Sequence, residues 1–83
     1  VKVLYFAWMR ERVGAGEEEV DPPSSVATAG DLADWLAARS EGHAAAFERA
    51  ALVRIALDHR HVQRETPLAG AREAAFFPPM TGG

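Results

Sequence analysis

The chain closes on Gly82-Gly83, led in by Phe76-Phe77-Pro78-Pro79-Met80-Thr81, and these residues have the types and order for one kind of chemistry. Two residues without side chains leave the Gly83 carboxylate as the most accessible reactive group, on a strip of backbone thin enough to enter a narrow channel in another protein. A random chain ends in two glycines about one time in 200, so the pair alone decides little. The residues before it decide more. An aromatic run that breaks into two prolines cannot continue in a sheet, so it must leave the body as an extended arm. Residues 78–83 span about 20 Å when extended, enough to reach a buried active site. The expected reagent is therefore the Gly83 carboxylate, with Gly82 giving access to it.

Such an arm needs a platform. The last strand is expected over Glu73 to Phe77 and the first over Val1 to Trp8. Strand alternation puts Val1, Val3, Tyr5 and Ala7 on one face of the first strand and Lys2, Leu4, Phe6 and Trp8 on the other. Both faces are largely apolar, so the outward one exposes Leu4 and Phe6 unless a partner covers them. Counting along the last strand turns Phe76 to the core and Phe77 outward, beside Phe6. Phe6 and Phe77, flanked by Arg10 and His61 and continued by Pro78, Pro79, Met80 and Thr81, are the candidate partner-binding residues. The competing reading buries both rings in the chain's own core, where phenylalanine usually sits.

The rest of the chain must hold these two strands together. Met9 to Val13 suggests a helical turn before the flexible Gly14-Ala15-Gly16, and Glu17-Glu18-Glu19-Val20 a short, solvated strand antiparallel to the first. Thr28 has the position of a helix N-cap with Asp31 near the positive end of the dipole, and Leu32, Trp35, Leu36 and Arg39 recur at helical spacing. Gly42 suits the end of that helix, and His43 to Ala50 a shorter second helix anchored by Phe47. Leu52 to Leu57 alternates, with Val53, Ile55 and Leu57 inward and Arg54 and Ala56 outward. Asp58-His59-Arg60 reads as a turn, His61 to Arg64 as a short strand, and Thr66 to Gly70 as a loop. This order implies an α+β roll, one main helix and a shorter second helix on a mixed sheet with its first and last strands side by side. Residues 1–77 form the domain and residues 78–83 the tail.

Composition narrows the function. Eighty-three residues, nearly half hydrophobic, make one small domain whose core needs neither disulfide nor metal. There is no cysteine, so sulfur handled covalently by this chain cannot sit on a side-chain thiol, and the terminal carboxyl is left as its carrier. Lys2 is the single lysine, which gives almost no internal acceptor for isopeptide chains. A net charge of −3, with eight scattered arginines, speaks against nucleic acid as a partner. No apolar run is long enough to cross a membrane and no signal-like segment opens the chain, so a cytoplasmic location is expected. His59 and His61 near Asp58 lack a third ligand, so no metal site is expected. Asp31, Asp34, Glu41 and the run from Glu17 to Glu19 read as solvated surface, and Trp8 and Trp35 as packing residues. Nowhere do a nucleophile, a base and an orienting group form a self-contained active site.

Almost the whole chain resembles one known family, the small subunit of molybdopterin synthase, a sulfur carrier of the ubiquitin-like β-grasp fold. The likeness is strongest in Val1 to Gly14 (VKVLYFAWMRERVG), in Pro67-Leu68 and in Ala75 to Gly83 (AFFPPMTGG). A double glycine is shared by many ubiquitin-like proteins, whereas the aromatic pair, diproline and Met-Thr before it point to this subunit. Departures are Gly70-Ala71-Arg72-Glu73 where the family usually has Gly-Asp-Glu, Asp58 where asparagine is common, and His61 where an apolar residue is common. The resemblance implies that an activating enzyme adenylates Gly83 with ATP and that sulfur then converts it to a thiocarboxylate. It implies that the tail enters the large synthase subunit, where sulfur passes to cyclic pyranopterin monophosphate and builds the molybdopterin dithiolene. ATP belongs to the activating enzyme, acid–base chemistry belongs to the large subunit, and no cofactor is expected on this chain. A free carboxylate is a poor electrophile, while an acyl-adenylate carries a good leaving group that a sulfur nucleophile can displace. Three other functions remain open: a thiamine-pathway sulfur carrier, which is usually shorter and lacks the FFPPMT lead-in; a ubiquitin-like modifier joined through Gly83 to lysines; and a non-covalent adaptor.

Overall fold

A computed structural model describes residues 1–79; the expected site residues Met80, Thr81, Gly82 and Gly83 lie outside the described residues. The elements in chain order are β1 (Lys2–Tyr5), α1 (Ala7–Val13), β2 (Glu17–Glu19), α2 (Ala29–Ala37), α3 (Glu41–Ala46), a 3₁₀ turn (Ala50–Leu52), β3 (Arg54–Leu57), β4 (Arg60–Val62) and β5 (Glu73–Phe77). The sheet runs β2-β1-β5-β3-β4, with β1 and β5 parallel and the other neighbours antiparallel. A parallel pair cannot be closed by a tight turn, so the helices and the β3–β4 hairpin form the long connection between β1 and β5. The α+β roll with its first and last strands adjacent is thus the observed architecture.

Alternation along the strands builds the core. Val3 and Tyr5 of β1, Ala74 and Phe76 of β5, and Ile55 and Leu57 of β3 all turn to one face, where Met9, Leu32 and Leu36 meet them from the helices. Phe76 sits at the centre, stacked on Tyr5 at 6.3 Å and edge-on to Phe47 at 5.1 Å between ring centroids. Burial of each such side chain contributes about 1.5–3 kcal/mol. Helix α2 begins where Thr28 Oγ1 accepts from the Asp31 amide at 3.0 Å and Asp31 Oδ2 accepts from the Thr28 amide at 3.2 Å. Asp31 is therefore half of a reciprocal cap, and Asp34 holds Arg64 at 3.0 Å through both its oxygens.

Several boundaries differ from expectation, each for a local reason. The first strand stops at Tyr5 because Ala7, with φ of 54°, turns the chain into α1; Ala7 and Trp8 are helical. The left-handed conformation costs an alanine about 1 kcal/mol or more, and the helix it starts buries Met9 completely. Gly42 lies in the first turn of α3, after the N-cap Ser40, and does not end α2. An added Cβ there would stand 2.5 Å from the Arg12 carbonyl oxygen, so this glycine serves the close approach of α1 to α3. Helix α3 accordingly runs earlier than His43 to Ala50, with Phe47 capping its end and still buried. Strand β4 begins at Arg60, because Asp58 and His59, both at positive φ, make the two-residue hairpin turn by themselves. Ala56, expected outward, does face away from the core but is covered by its neighbours.

The acidic strand holds the largest surprise. Glu17 and Glu19 are solvated, yet Glu18 turns inward, its side chain 22% exposed, and accepts from the Tyr5 hydroxyl at 2.6 Å. The same Glu18 oxygen lies 2.7 Å from His43 Nε2, while His43 Nδ1 is 2.7 Å from the Ser40 hydroxyl. Burial, reinforced by the bond to Glu18 and its negative charge, pushes the Tyr5 phenol far above its ordinary value. Burial also resists ionisation of Glu18, but hydrogen bonds from His43 and Tyr5 and the charges of His43 and Arg39 outweigh it and hold the carboxyl below its usual value. A group lowered in the folded state contributes stability that is present above its unfolded value and lost as pH falls through the folded one. We therefore expect stability to decline on the acid side of the usual glutamate range. Glu18→Gln should cost about 1–3 kcal/mol at neutral pH and flatten that decline, measured by urea unfolding across the acid range. An acid limb as steep as in the unmodified protein would remove Glu18 from this role.

Candidate functional site

Strand β5 leaves the sheet through Phe77-Pro78-Pro79, and the site is assembled around that exit. The Phe6 amide donates to the Phe76 carbonyl at 3.2 Å, extending the β1–β5 ladder one residue past Tyr5 and bringing Phe6 level with Phe77. Their rings meet nearly at right angles, 6.5 Å between centroids, and Phe6 is 48% exposed. The His61 ring stands edge-on to Phe77 at 5.4 Å, although β4 is two strands away from β5. A groove of about 820 Å³ results, floored by Phe6, Phe77 and His61 and walled by Ala7, Trp8 and Leu52, with Pro78 and Pro79 along its rim.

Of the residues expected at the site, Phe6, His61, Phe77, Pro78 and Pro79 come together here. Arg10 does not. The α1 helix carries it toward the β1–β2 connection, where its guanidinium lies over Gly16, 3.1 Å from where a Cβ would stand. Phe76 and Phe77 face opposite sides, so the reading that buried both rings of the Phe6 and Phe77 pair in the core does not hold. Trp8 and Leu52 are additions. Trp8, expected as a packing residue, packs partly on the core and carries the Arg12 guanidinium 4.6 Å above its ring. Alternation in the sequence extends the third strand back to Leu52, but Leu52 falls out of phase with Val53, Ile55 and Leu57, and that mismatch is the signal that it belongs elsewhere. In the structure it sits in the 3₁₀ turn, 39% exposed.

The groove is apolar at its centre, with His61 in its floor and Arg54 paired across from Phe77 on the neighbouring strand. It can receive an aromatic or aliphatic side chain from another molecule. Among the described residues it brings no nucleophile and base into contact. His59 lies 3.6 Å from Glu73, and Asp58 Oδ1 accepts from the Arg72 and Glu73 amides at 3.0 Å each. These residues clamp the start of β5, at the end away from the exit. Among the described residues no group of three or more His, Cys, Asp or Glu side chains is placed to hold a metal ion, and no helix is long and apolar enough to cross a membrane.

The ThiS family model matches residues 3–83. The molybdopterin synthase sulfur carrier subunit of Escherichia coli is 40% identical to this chain over 83 residues, covering 100% of the chain and 99% of that protein. A putative molybdopterin converting factor, subunit 1, from Pyrococcus furiosus superposes with a TM-score of 0.76 at 31% identity, with 94% of each chain covered. SAMP1 from Haloferax volcanii superposes with a TM-score of 0.73 at 25% identity, over 99% of this chain and 97% of that one. The fold is therefore the ubiquitin-like β-grasp.

The opposite duties of two consecutive phenylalanines can be measured. Phe76→Ala should cost about 3–5 kcal/mol in urea unfolding, whereas Phe77→Arg should change stability by less than about 1 kcal/mol. A comparable loss from both would place Phe77 in the core.

Proposed function

The chain belongs to the ThiS family, and from that premise we propose that it is the sulfur-carrier subunit of a molybdopterin synthase, consumed and regenerated at Gly83 in each cycle. The observation that carries this reading is a pairing: β5 exits through Pro78-Pro79 beside an exposed aromatic groove, in a chain 40% identical over its full length to such a carrier. The Gly83 carboxylate attacks the α-phosphate of ATP on an activating enzyme, releasing pyrophosphate and giving an acyl-adenylate. Sulfide-level sulfur then displaces AMP and leaves a thiocarboxylate. Its sulfur is a soft nucleophile that the arm delivers to cyclic pyranopterin monophosphate inside the large synthase subunit. Gly82 keeps the approach narrow, and Met80 and Thr81 line the same arm. A cytoplasmic location suits a carrier charged at the expense of ATP.

Phe6, Trp8, Leu52, His61 and Phe77 form the docking face in this reading. The activating enzyme and the large subunit both need the arm, so they bind in turn. Phe77→Arg should weaken docking to each by several-fold to a hundredfold, about 1–3 kcal/mol for an interface aromatic, read by calorimetric titration.

Intact mass of the protein taken from its natural host tests the chemistry directly. Replacement of one oxygen by sulfur at the C-terminus is expected; conjugates to lysines of other proteins would instead identify a modifier. Removing Gly83, or adding a residue after it, should abolish sulfur transfer and leave the fold intact, and full activity from either variant would sink the mechanism.

The thiocarboxylated chain alone should be inert toward the pterin precursor. An arm can deliver a nucleophile, but orienting the substrate and excluding water require the large subunit's pocket. Dithiolene formation by the purified small protein, assayed before the large subunit is added, would place an active site on this chain itself.

A further inference from the structure

On the face of the sheet opposite the core, Leu4, Ala75 and Phe77 are partly exposed, while Ala56 is screened by its larger neighbours. Strand register orders this face in rows. The middle row reads Glu17 on β2, Leu4 on β1, Ala75 on β5, Ala56 on β3 and His61 on β4. Nearer the exit, Phe6, Phe77 and Arg54 form a second row. Along the middle row the chemistry passes from an acid through three apolar residues to an imidazole. Strand β5, at its midpoint, is the third of five strands.

We infer that this face binds a second copy of the chain, in a two-fold pair whose axis runs along β5. Such an axis carries each position on β2 onto β4 of the second copy and each position on β1 onto β3. Glu17 then faces His61 of the second copy, Leu4 faces Ala56, and Ala75 and Phe77 each face their own counterparts. Phe6 is brought to Arg54, an arrangement in which a guanidinium lies on an aromatic ring. Self-complementarity of this kind is what a two-fold contact requires, and sheets pack face to face with their strands nearly aligned. Glu17 is free for this role, since its 3.4 Å pair with Lys2 is largely solvent-exposed. The remaining row sets Glu73 against its counterpart, a like-charge contact that keeps the pair weak.

The size of the face sets the strength. Five strands about 4.8 Å apart and three rows about 7 Å apart give roughly 350 Å² of facing sheet, well under the ~800 Å² per partner of a stable complex. The pair is therefore weak, with a dissociation constant on the order of 100 µM, and it yields to any partner that takes Phe77 more tightly. It does not depend on the chemistry proposed for Gly83.

Sedimentation of the full chain tests this. The mass should rise above the monomer's 9.0 kDa as concentration passes from about 10 µM to about 1 mM. Ala75→Glu, which puts two like charges on the axis, should weaken association at least about tenfold with an unchanged circular dichroism spectrum. Glu17→Arg and His61→Glu should each weaken it, and the two together in one chain should restore it, because every Glu17–His61 contact then becomes an Arg–Glu pair. A mass of 9.0 kDa at every concentration would overturn the inference and leave the face to an unlike protein. So would association that ignores Ala75→Glu, or a double variant no better than the singles.

Discussion

Strand β5 lies between β1 and β3, and its period-two alternation ties the core to the exposed face through adjacent residues. Phe76 closes the core against Tyr5 and Phe47, and Phe77 then has no choice but the other side, beside Phe6. A shift of one residue in the β1–β5 register would exchange these positions, turning Phe76 outward and Phe77 into the core. Register is held by packing on one face and by Asp58, which accepts from the Glu73 amide that opens the strand and from the Arg72 amide just before it. The exit of the arm is thus as firmly placed as the core itself.

What surrounds that strand can be understood as support for it. The turn at Ala7 ends β1 where its ladder with β5 ends, so Phe6 stays at the surface while Met9 returns to the interior. Helix α1 is fixed in turn by α3: the Arg12 guanidinium donates to the Ala45 carbonyl at 2.9 Å, and Gly42 permits the helices to approach. Glu18, Tyr5, His43 and Ser40 join the edge strand, the central sheet and α3 in one hydrogen-bonded chain. No buried side-chain nitrogen or oxygen is left without a partner among the described residues. A small domain has little surface to bury, and a satisfied polar chain of this kind orders its edge without an uncompensated charge.

The proposed role divides labour between this molecule and its partners along physical lines. The described residues form a core and an exposed apolar groove, and among them no nucleophile and base meet in that groove. In the proposed role the groove supplies affinity and the arm supplies the nucleophile, while the substrate never touches the folded body. The apolar face that would serve a large partner in that role is the same one proposed for weak pairing with a second copy.

Much of this was legible in the residues. Proline pairs, strand alternation and helical spacing placed β5, the phase of Phe76 and Phe77, the Thr28 cap and the central pairing of β1 with β5, because each depends on local stereochemistry or on a period short enough to read. Tertiary structure decided the rest. Arg10 was expected beside Phe6, but an apolar stretch that could continue as strand instead turned at Ala7, and a helix rotates its residues differently. Gly42 resembled a helix terminus until the Arg12 carbonyl, thirty residues away, showed what its missing side chain makes room for. Glu18 looked like its two neighbours, since nothing local distinguishes the middle of three glutamates. Its inward turn follows from strand alternation, and its hydrogen bonds exist because distant Tyr5 and His43 are folded against it. Sequence determined what depends on neighbours along the chain, and the fold decided which distant groups each side chain would meet.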